Sequence, residues 1–194
     1  MMSLGFLIKM EVEVRAKVKD PASLKRKLKR LGAKFGRDLA QKDWLFYSQE
    51  AIRTKKQRPG NFLIRIRSQN SKYFLALKGL TNRKGVWEEY EMAIDDPKQA
   101  RKMVERMGLN LVLVFEKKRT PGKLGKIVFC LDQVKPLGSY LEMEIITTKE
   151  RGKAAQQKIK EIFQKLGIDK KDTVRLGYPQ IILAKKGWRF LGER

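Results

Sequence analysis

Between Leu4 and Val18 every even position is apolar: Leu4, Phe6, Ile8, Met10, Val12, Val14, Ala16 and Val18. The odd positions from Lys9 onward are Lys9, Glu11, Glu13, Arg15 and Lys17. Alternation of period two over such a length specifies a long strand with one apolar and one charged face, because a helix would scatter both classes around its circumference. The strand needs neighbours for its backbone groups and a cover for its apolar side.

The rest of the chain supplies both. Asp20-Pro21 opens a helix with the stripe Leu24, Leu28, Leu31, closed by Gly32. Strand-like segments follow at about 39–47, 61–68, 72–79 and 85–94. Asp95-Asp96-Pro97 starts a second helix, with Ala100, Met103, Val104 and Met107 on one side and Gly108 as its stop. Strands resume at about 110–119, 126–134 and 139–147. A third helix spans about 149–166 on Ala155, Ile159, Ile162, Phe163 and Leu166, and Gly167 ends it. A short apolar segment, Tyr178 to Ala184, precedes a basic tail. No linker divides the chain, so 1–184 is expected as one domain, with 185–194 as the tail. Hairpin-length connections make the sheet antiparallel and the class α+β. Eight strands suffice for a closed barrel, which removes exposed edges, with the three amphipathic helices outside.

Composition narrows the chemistry. The chain has no histidine and one cysteine, Cys130. That excludes Ser-His-Asp and Cys-His nucleophiles, His- or Cys-cluster metal sites and internal disulfides. Any metal must be a hard cation held by carboxylates. Lys and Arg number 45 against 21 Asp and Glu, for a net charge of +24. A charged fraction of 34% suits the ion-pair networks of a hyperthermophile, although these explain a one-sided excess poorly. No run reaches the roughly 20 apolar residues of a membrane span, and Met1 to Met10 is too short for a secretion signal. A soluble, cytoplasmic protein is expected.

The charged strand faces carry the functional information. They hold Glu11, Glu13, Glu89, Glu91, Asp132, Glu142 and Glu144, against Arg15, Lys17, Arg65, Arg67, Lys78, Lys117 and Arg119. The plain reading is the wet side of an antiparallel sheet. Three amphipathic helices need an apolar sheet surface, however, and if they cover the outside of a barrel the charged faces point inward. Seven acids and seven bases can pair in such a lumen, whereas an unbalanced interior would be too costly. Arg and Lys beside clustered carboxylates suit a polyphosphate with divalent metal.

These residues resemble the CYTH superfamily of triphosphate tunnel enzymes, which includes class IV adenylyl cyclases and thiamine triphosphatases. Its ExExK signature stands here as Glu11-Val12-Glu13-Val14-Arg15, with Arg for Lys. The likeness continues through Leu63-Ile64-Arg65-Ile66-Arg67, Leu75-Ala76-Leu77-Lys78-Gly79, Glu89-Tyr90-Glu91 and Lys117-Lys118-Arg119. It extends to Leu131-Asp132-Gln133-Val134, Leu141-Glu142-Met143-Glu144 and the late Tyr178, covering nearly the whole chain in order. The resemblance implies an eight-stranded antiparallel tunnel that takes a nucleotide or organic triphosphate with Mg²⁺ or Mn²⁺. Glu11, Glu13 and Arg15 would be catalytic. Glu11, Glu13, Asp132, Glu142 and Glu144 would hold metal, with Glu89 and Glu91 as further candidates. Arg65, Arg67, Lys78, Lys117 and Arg119 would bind the phosphates.

Two reactions share such a site. A cyclase converts ATP to cyclic AMP and pyrophosphate, whereas a triphosphatase hydrolyses thiamine triphosphate, a nucleotide or tripolyphosphate. Overall similarity leans toward the cyclase. Gly5-Phe6, standing where class IV cyclases carry His-Phe, leans toward hydrolysis. A third reading, from another class, is a non-catalytic module binding RNA or another polyanion. Its carriers would be a basic loop at Arg53, Lys55, Lys56 and Arg58, the stretch Lys117 to Lys126, and the tail, where Trp188 and Phe190 either stack on bases or pack on the barrel. Gly122-Lys123-Leu124-Gly125-Lys126 lacks the spacing of a phosphate loop and is expected as a turn.

Overall fold

The computed structural model describes residues 9–58, 60–80, 87–148, 151–174 and 176–190. Leu4, Phe6 and Ile8 of the first alternation, together with Gly5-Phe6, residues 85–86 of the expected fourth strand segment, residues 149–150 of the third expected helix, and Arg194, lie outside these. The chain is α+β, a mostly antiparallel sheet with five helices among the described residues. It forms two compact units, one of Met1–Asp38, Arg119–Gln133 and Gly138–Val174, the other of Leu39–Lys118, Val134–Leu137 and Arg175–Arg194.

In the first unit β1 (Lys9–Val18) lies antiparallel to β10 (Gly138–Thr148) over its full length, from Lys9 opposite Thr148 to Val18 opposite Ser139. The path runs on through β9 (Ile127–Val134) to β8 (Leu109–Leu124), which β2 (Lys34–Phe35) joins at Lys123 and Gly122, while β11 (Thr173–Val174) edges β1 at Arg15 and Ala16. This register sets Val14 beside Met143 and Ala16 beside Leu141, so one face is continuously apolar. Two helices cover it. In α1 (Pro21–Arg30) Asp20 accepts from the Ser23 amide at 2.8 Å, and Pro21 occupies the first turn, where its missing N–H costs nothing. Leu24 and Leu28 of α1 then join Ile159, Phe163 and Leu166 of α4 (Gly152–Leu166) on Leu141, Met143 and Phe129. Each such side chain contributes about 1.5–3 kcal/mol by leaving water. Gly167 ends α4 at φ +76°.

In the second unit β3 (Leu39–Ser48), β5 (Phe62–Gln69), β6 (Lys72–Leu80) and β7 (Trp87–Ile94) form an antiparallel run that joins the Leu109–Lys118 half of β8. Phe46, Ile66, Trp44, Ile64 and Leu75 lie under Ala100 and Val104 of α3 (Pro97–Arg106), which Asp96 caps. Beside β3, α2 (Gln49–Thr54) leads into β4 (Lys56–Gln57), and α5 (Tyr178–Ala184) leads into β12 (Arg189–Phe190), which pairs with β4 in parallel.

Two expectations change, and an apolar segment left without a type gains one. Tyr178 to Ala184 is a helix, because Pro179 starts its first turn and the Gln180 side chain accepts from the Gly177 amide at 2.9 Å. The basic stretch Arg53 to Arg58 is not a plain loop; Ser48 caps α2, and Lys56-Gln57 pairs as a strand. Gly122 to Leu124 continue β8, leaving only Gly125-Lys126 to turn. A Cβ at Gly122 would lie 2.2 Å from the Phe129 ring, so that glycine serves close packing. Of the two fates for the aromatic tail residues, packing holds. Trp188 and Phe190 are buried, Trp188 meets Tyr47 edge-on at 5.1 Å, and the two tail rings stack at 6.3 Å.

Candidate functional site

Opposite its helices, the first unit's sheet carries a connected chain of charges. Register alone places Arg15 against Glu142 and Glu13 against Glu144. Arg15 donates to Glu13 through Nη2, and to Glu142 Oε2 from Nε at 3.0 Å and from Nη2 at 2.7 Å. Arg119 grips Asp132 with two parallel bonds of 2.8 and 2.7 Å and reaches the other Glu142 oxygen at 3.1 Å. Glu142 therefore bridges two guanidiniums. Asp132 is 2% exposed and fully engaged, and charge-assisted bonds of this bidentate kind are the strong ones. Glu11 stands opposite Ile146 in the register, and its side chain lies outside the described residues. Among the described side chains these bonds join the carboxylates of Glu13, Glu142 and Asp132 to the guanidiniums of Arg15 and Arg119, so acids outnumber bases in the network, and the register sets Glu144 beside Glu13.

The second unit's charged face has the opposite bias. Arg65 on β5 lies beside Ala76 on β6, which lies beside Glu91 on β7. The small Ala76 lets the guanidinium pass over β6, where Nη2 meets Glu89 at 2.8 Å and Glu91 at 2.6 Å. Lys78, directly opposite Glu89, reaches its other oxygen at 3.0 Å. Arg67 holds Asp43 with bonds of 2.7 and 2.8 Å. The Lys117 ammonium lies 5.2 Å from the Tyr178 ring centre, a cation–π distance. Here Arg65, Arg67, Lys78 and Lys117 outnumber Asp43, Glu89 and Glu91. Among the described residues Arg65 Nε is buried with no hydrogen-bond partner, a donor still to be satisfied.

The titration behaviour follows. Burial alone would raise the Asp43 carboxyl, but the Arg67 hydrogen bonds, with the charges of Arg67, Lys117 and Arg65, hold it below the ordinary value. The same opposition, with Lys78 and Arg65 prevailing, lowers Glu89. Lys78 is lowered by burial first and by Arg65 second, against the pull of Glu89.

The expected residues thus fall into two sets: Glu13, Arg15, Arg119, Asp132, Glu142 and Glu144 in one unit, and Arg65, Arg67, Lys78, Glu89, Glu91 and Lys117 in the other. Sequence reasoning missed Asp43, Gln41 and Gln69, whose side-chain amides bond to each other. The signal was the alternation of Gln41 and Asp43 against Trp44 and Phe46. It was blurred because Leu45 and Tyr47, on the polar side, are equally buried.

The profile of the CYTH domain matches residues 9–178. The chain belongs to the CYTH family. Members are enzymes, and this CYTH protein is an enzyme of phosphoryl or nucleotidyl chemistry. A Methanocaldococcus jannaschii protein named "Putative adenylate cyclase MJ0240" is 29% identical over 175 residues, covering 88% of this chain and 97% of its own length. The PH1012 protein of Pyrococcus horikoshii is 28% identical, with TM-score 0.72 over 87% of this CYTH chain and 97% of that one. HpAC1 of Hippeastrum, for which a dominant triphosphatase activity is described, is 16% identical with TM-score 0.62, covering 96% of this chain and 100% of its own. That last likeness concerns the fold. Among the described residues no helix is long and apolar enough to cross a membrane.

Proposed function

We propose that this CYTH enzyme binds a nucleoside triphosphate with Mg²⁺ or Mn²⁺ and cyclises it in the manner of class IV adenylyl cyclases, with its strands closed into an eight-stranded tunnel. The observation that carries the reading is the segregation of charge, an acid-rich face with Glu13 opposite Glu144 and a base-rich face with Arg65, Arg67, Lys78 and Lys117. The adenylate cyclase designation of the 29% identical relative agrees with it.

The acid-rich face fits a divalent cation. Like charges directly opposite on neighbouring strands destabilise a sheet unless positive charge intervenes, and the register that sets Glu13 beside Glu144 brings together two oxygen donors of the kind a hard cation takes. No group of three or more acidic, Cys or His side chains is gathered to hold a metal among the described residues. Mg²⁺ takes one or two carboxylates and completes its shell with water and phosphate oxygens. Glu13 and Glu144 would hold it, with Glu11 as neighbour. Asp132 and Glu142, occupied by arginine, position Arg15 and Arg119. A bound cation neutralises phosphate oxygens and orients the triphosphate. The chain's own part is positioning, because phosphoryl transfer needs alignment and charge neutralisation more than a protein nucleophile. Arg65, Arg67, Arg119, Lys78 and Lys117 grip the phosphates, and the unsatisfied Arg65 Nε–H is a ready donor. Attack of the ribose 3′-hydroxyl on the α-phosphorus, with its proton passing to solvent, would form the O3′–P bond and break the bond to the bridging oxygen, which leaves on pyrophosphate.

Incubation with ATP and Mg²⁺ should give cyclic AMP and pyrophosphate in equal amounts, resolved by chromatography. Free phosphate without cyclic nucleotide, the outcome Gly5-Phe6 favours, would make the enzyme a triphosphatase, and absence of turnover on ATP, thiamine triphosphate and tripolyphosphate would overturn the reading. The lowered Lys78 gives a further expectation. Its charge grips phosphate while protonated and is lost on raising pH sooner than for an ordinary lysine. KM for MgATP should therefore begin to rise below the usual lysine range, near 10.4. Lys78→Arg should remove that rise, since guanidinium stays charged. Identical profiles would mean that Lys78 touches no phosphate.

A further inference from the structure

Removing the paired charges leaves the exposed side of the first unit's helices strongly basic. Helix α1 carries Lys25, Arg26, Lys27, Lys29 and Arg30 and no acid. Lys27 donates to the Leu166 carbonyl at 2.8 Å, and Lys25 lies over the Phe35 ring at 5.2 Å. Arg26, Lys29 and Arg30 are exposed on the side away from buried Leu24 and Leu28, and among the described residues none of the three forms an ion pair. Residues three and four apart on a helix are neighbours, so three like charges crowd one turn and repel each other. The adjoining α4 exposes Lys153, Lys158, Lys160 and Lys165, with Glu161 as its one acid.

A thermophile's surface network does not explain this, because such networks stabilise by pairing opposite charges, and α1 has no opposite charges to pair. We propose that the α1–α4 surface binds the phosphodiester backbone of a nucleic acid, independently of the triphosphate site. A row of cations with few acids is the footprint of backbone binding, in which affinity comes from counterion release and carries no base preference. A lipid surface fits less well. A membrane-lying helix shows large apolar side chains to the bilayer, whereas α1 spends Leu24 and Leu28 on the core, and the large apolar side chain exposed beside its basic face is the C-cap Leu31, at 41%.

The test uses the full chain and a fluorescent 20-nucleotide RNA of mixed sequence, titrated at salt concentrations from 50 to 300 mM. Log affinity should fall linearly with log salt, and a DNA strand of the same sequence should behave alike. The triple variant Arg26→Gln, Lys29→Gln, Arg30→Gln keeps good helix formers and should bind about tenfold or more weakly at 50 mM salt, with a shallower slope. Its ATP turnover should be that of the native enzyme. The comparison variant Lys98→Gln, Arg101→Gln, Lys102→Gln on α3 removes the same charge elsewhere and should bind RNA normally. Equal weakening in both variants would reduce the effect to net charge and overturn the site. So would no binding of RNA by the native chain. If the triple variant melts early, Lys158→Gln with Lys165→Gln on α4 gives the same reading.

Discussion

Glu13→Gln should cut metal-dependent turnover about 100-fold or more while leaving the melting temperature unchanged. An effect of that size is expected where a group acts on charge developing at a transferring phosphate. The fold should not notice. The Glu13 side chain is 36% exposed, and its partner Arg15 keeps two bonds to Glu142, so no buried guanidinium is left alone. Glutamine also removes the repulsion between Glu13 and Glu144 in the β1–β10 register. The informative measurement is kcat against Mg²⁺ concentration beside a thermal melt. Lost turnover with an intact melt assigns Glu13 to the metal. Native turnover at native Mg²⁺ dependence would remove it from the site, and an early melt would make it a structural residue.

The long alternation of β1 was legible because both faces are pure, and it put Glu13 and Arg15 on one face before any register was known. The partner strand repeats the pattern as Leu141, Met143 and Ile145 against Glu142 and Glu144, and the pairing follows. Helices with long stripes and a glycine stop were legible for the same reason. The short helices α2 and α5 were not. Each is seven residues or fewer, too short for a 3.6-residue period to separate from a strand, and Tyr178 to Ala184 reads only as a short apolar segment until Pro179 and Gln180 are seen to shape a first turn. Asp43 stayed hidden because strand β3 buries both faces near its end, which erases alternation. Its partnership with Arg67 depends on a register that no local pattern states.

Asp43→Ala should be the most destabilising single change among the charged residues, by about 3–5 kcal/mol, because it strands a buried guanidinium without compensation. The Asp43 side chain is 3% exposed and that of Arg67 13%, so water cannot replace the lost bonds. For a chain of this length such a loss lowers the melting temperature by about 10 °C. The pH dependence has a definite sign. The Asp43 carboxyl is held below its ordinary value in the folded protein, so its stabilisation is present above the unfolded value, about 3.9, and is lost as pH falls through the folded one. The gap between native and variant melts should therefore close in acid. Stability alone does not say whether Arg67 also serves the triphosphate, and the pair Asp43→Leu with Arg67→Met separates the roles. Replacing a buried ion pair by apolar groups of similar volume is often neutral, so this variant should melt near the native temperature. If Arg67 grips phosphate, the same variant should bind MgATP about tenfold or more weakly, as expected for a lost charge-assisted contact. Native affinity in a stable double variant would make the Arg67–Asp43 pair purely architectural and leave Arg65, Lys78 and Lys117 to carry the phosphates on that face.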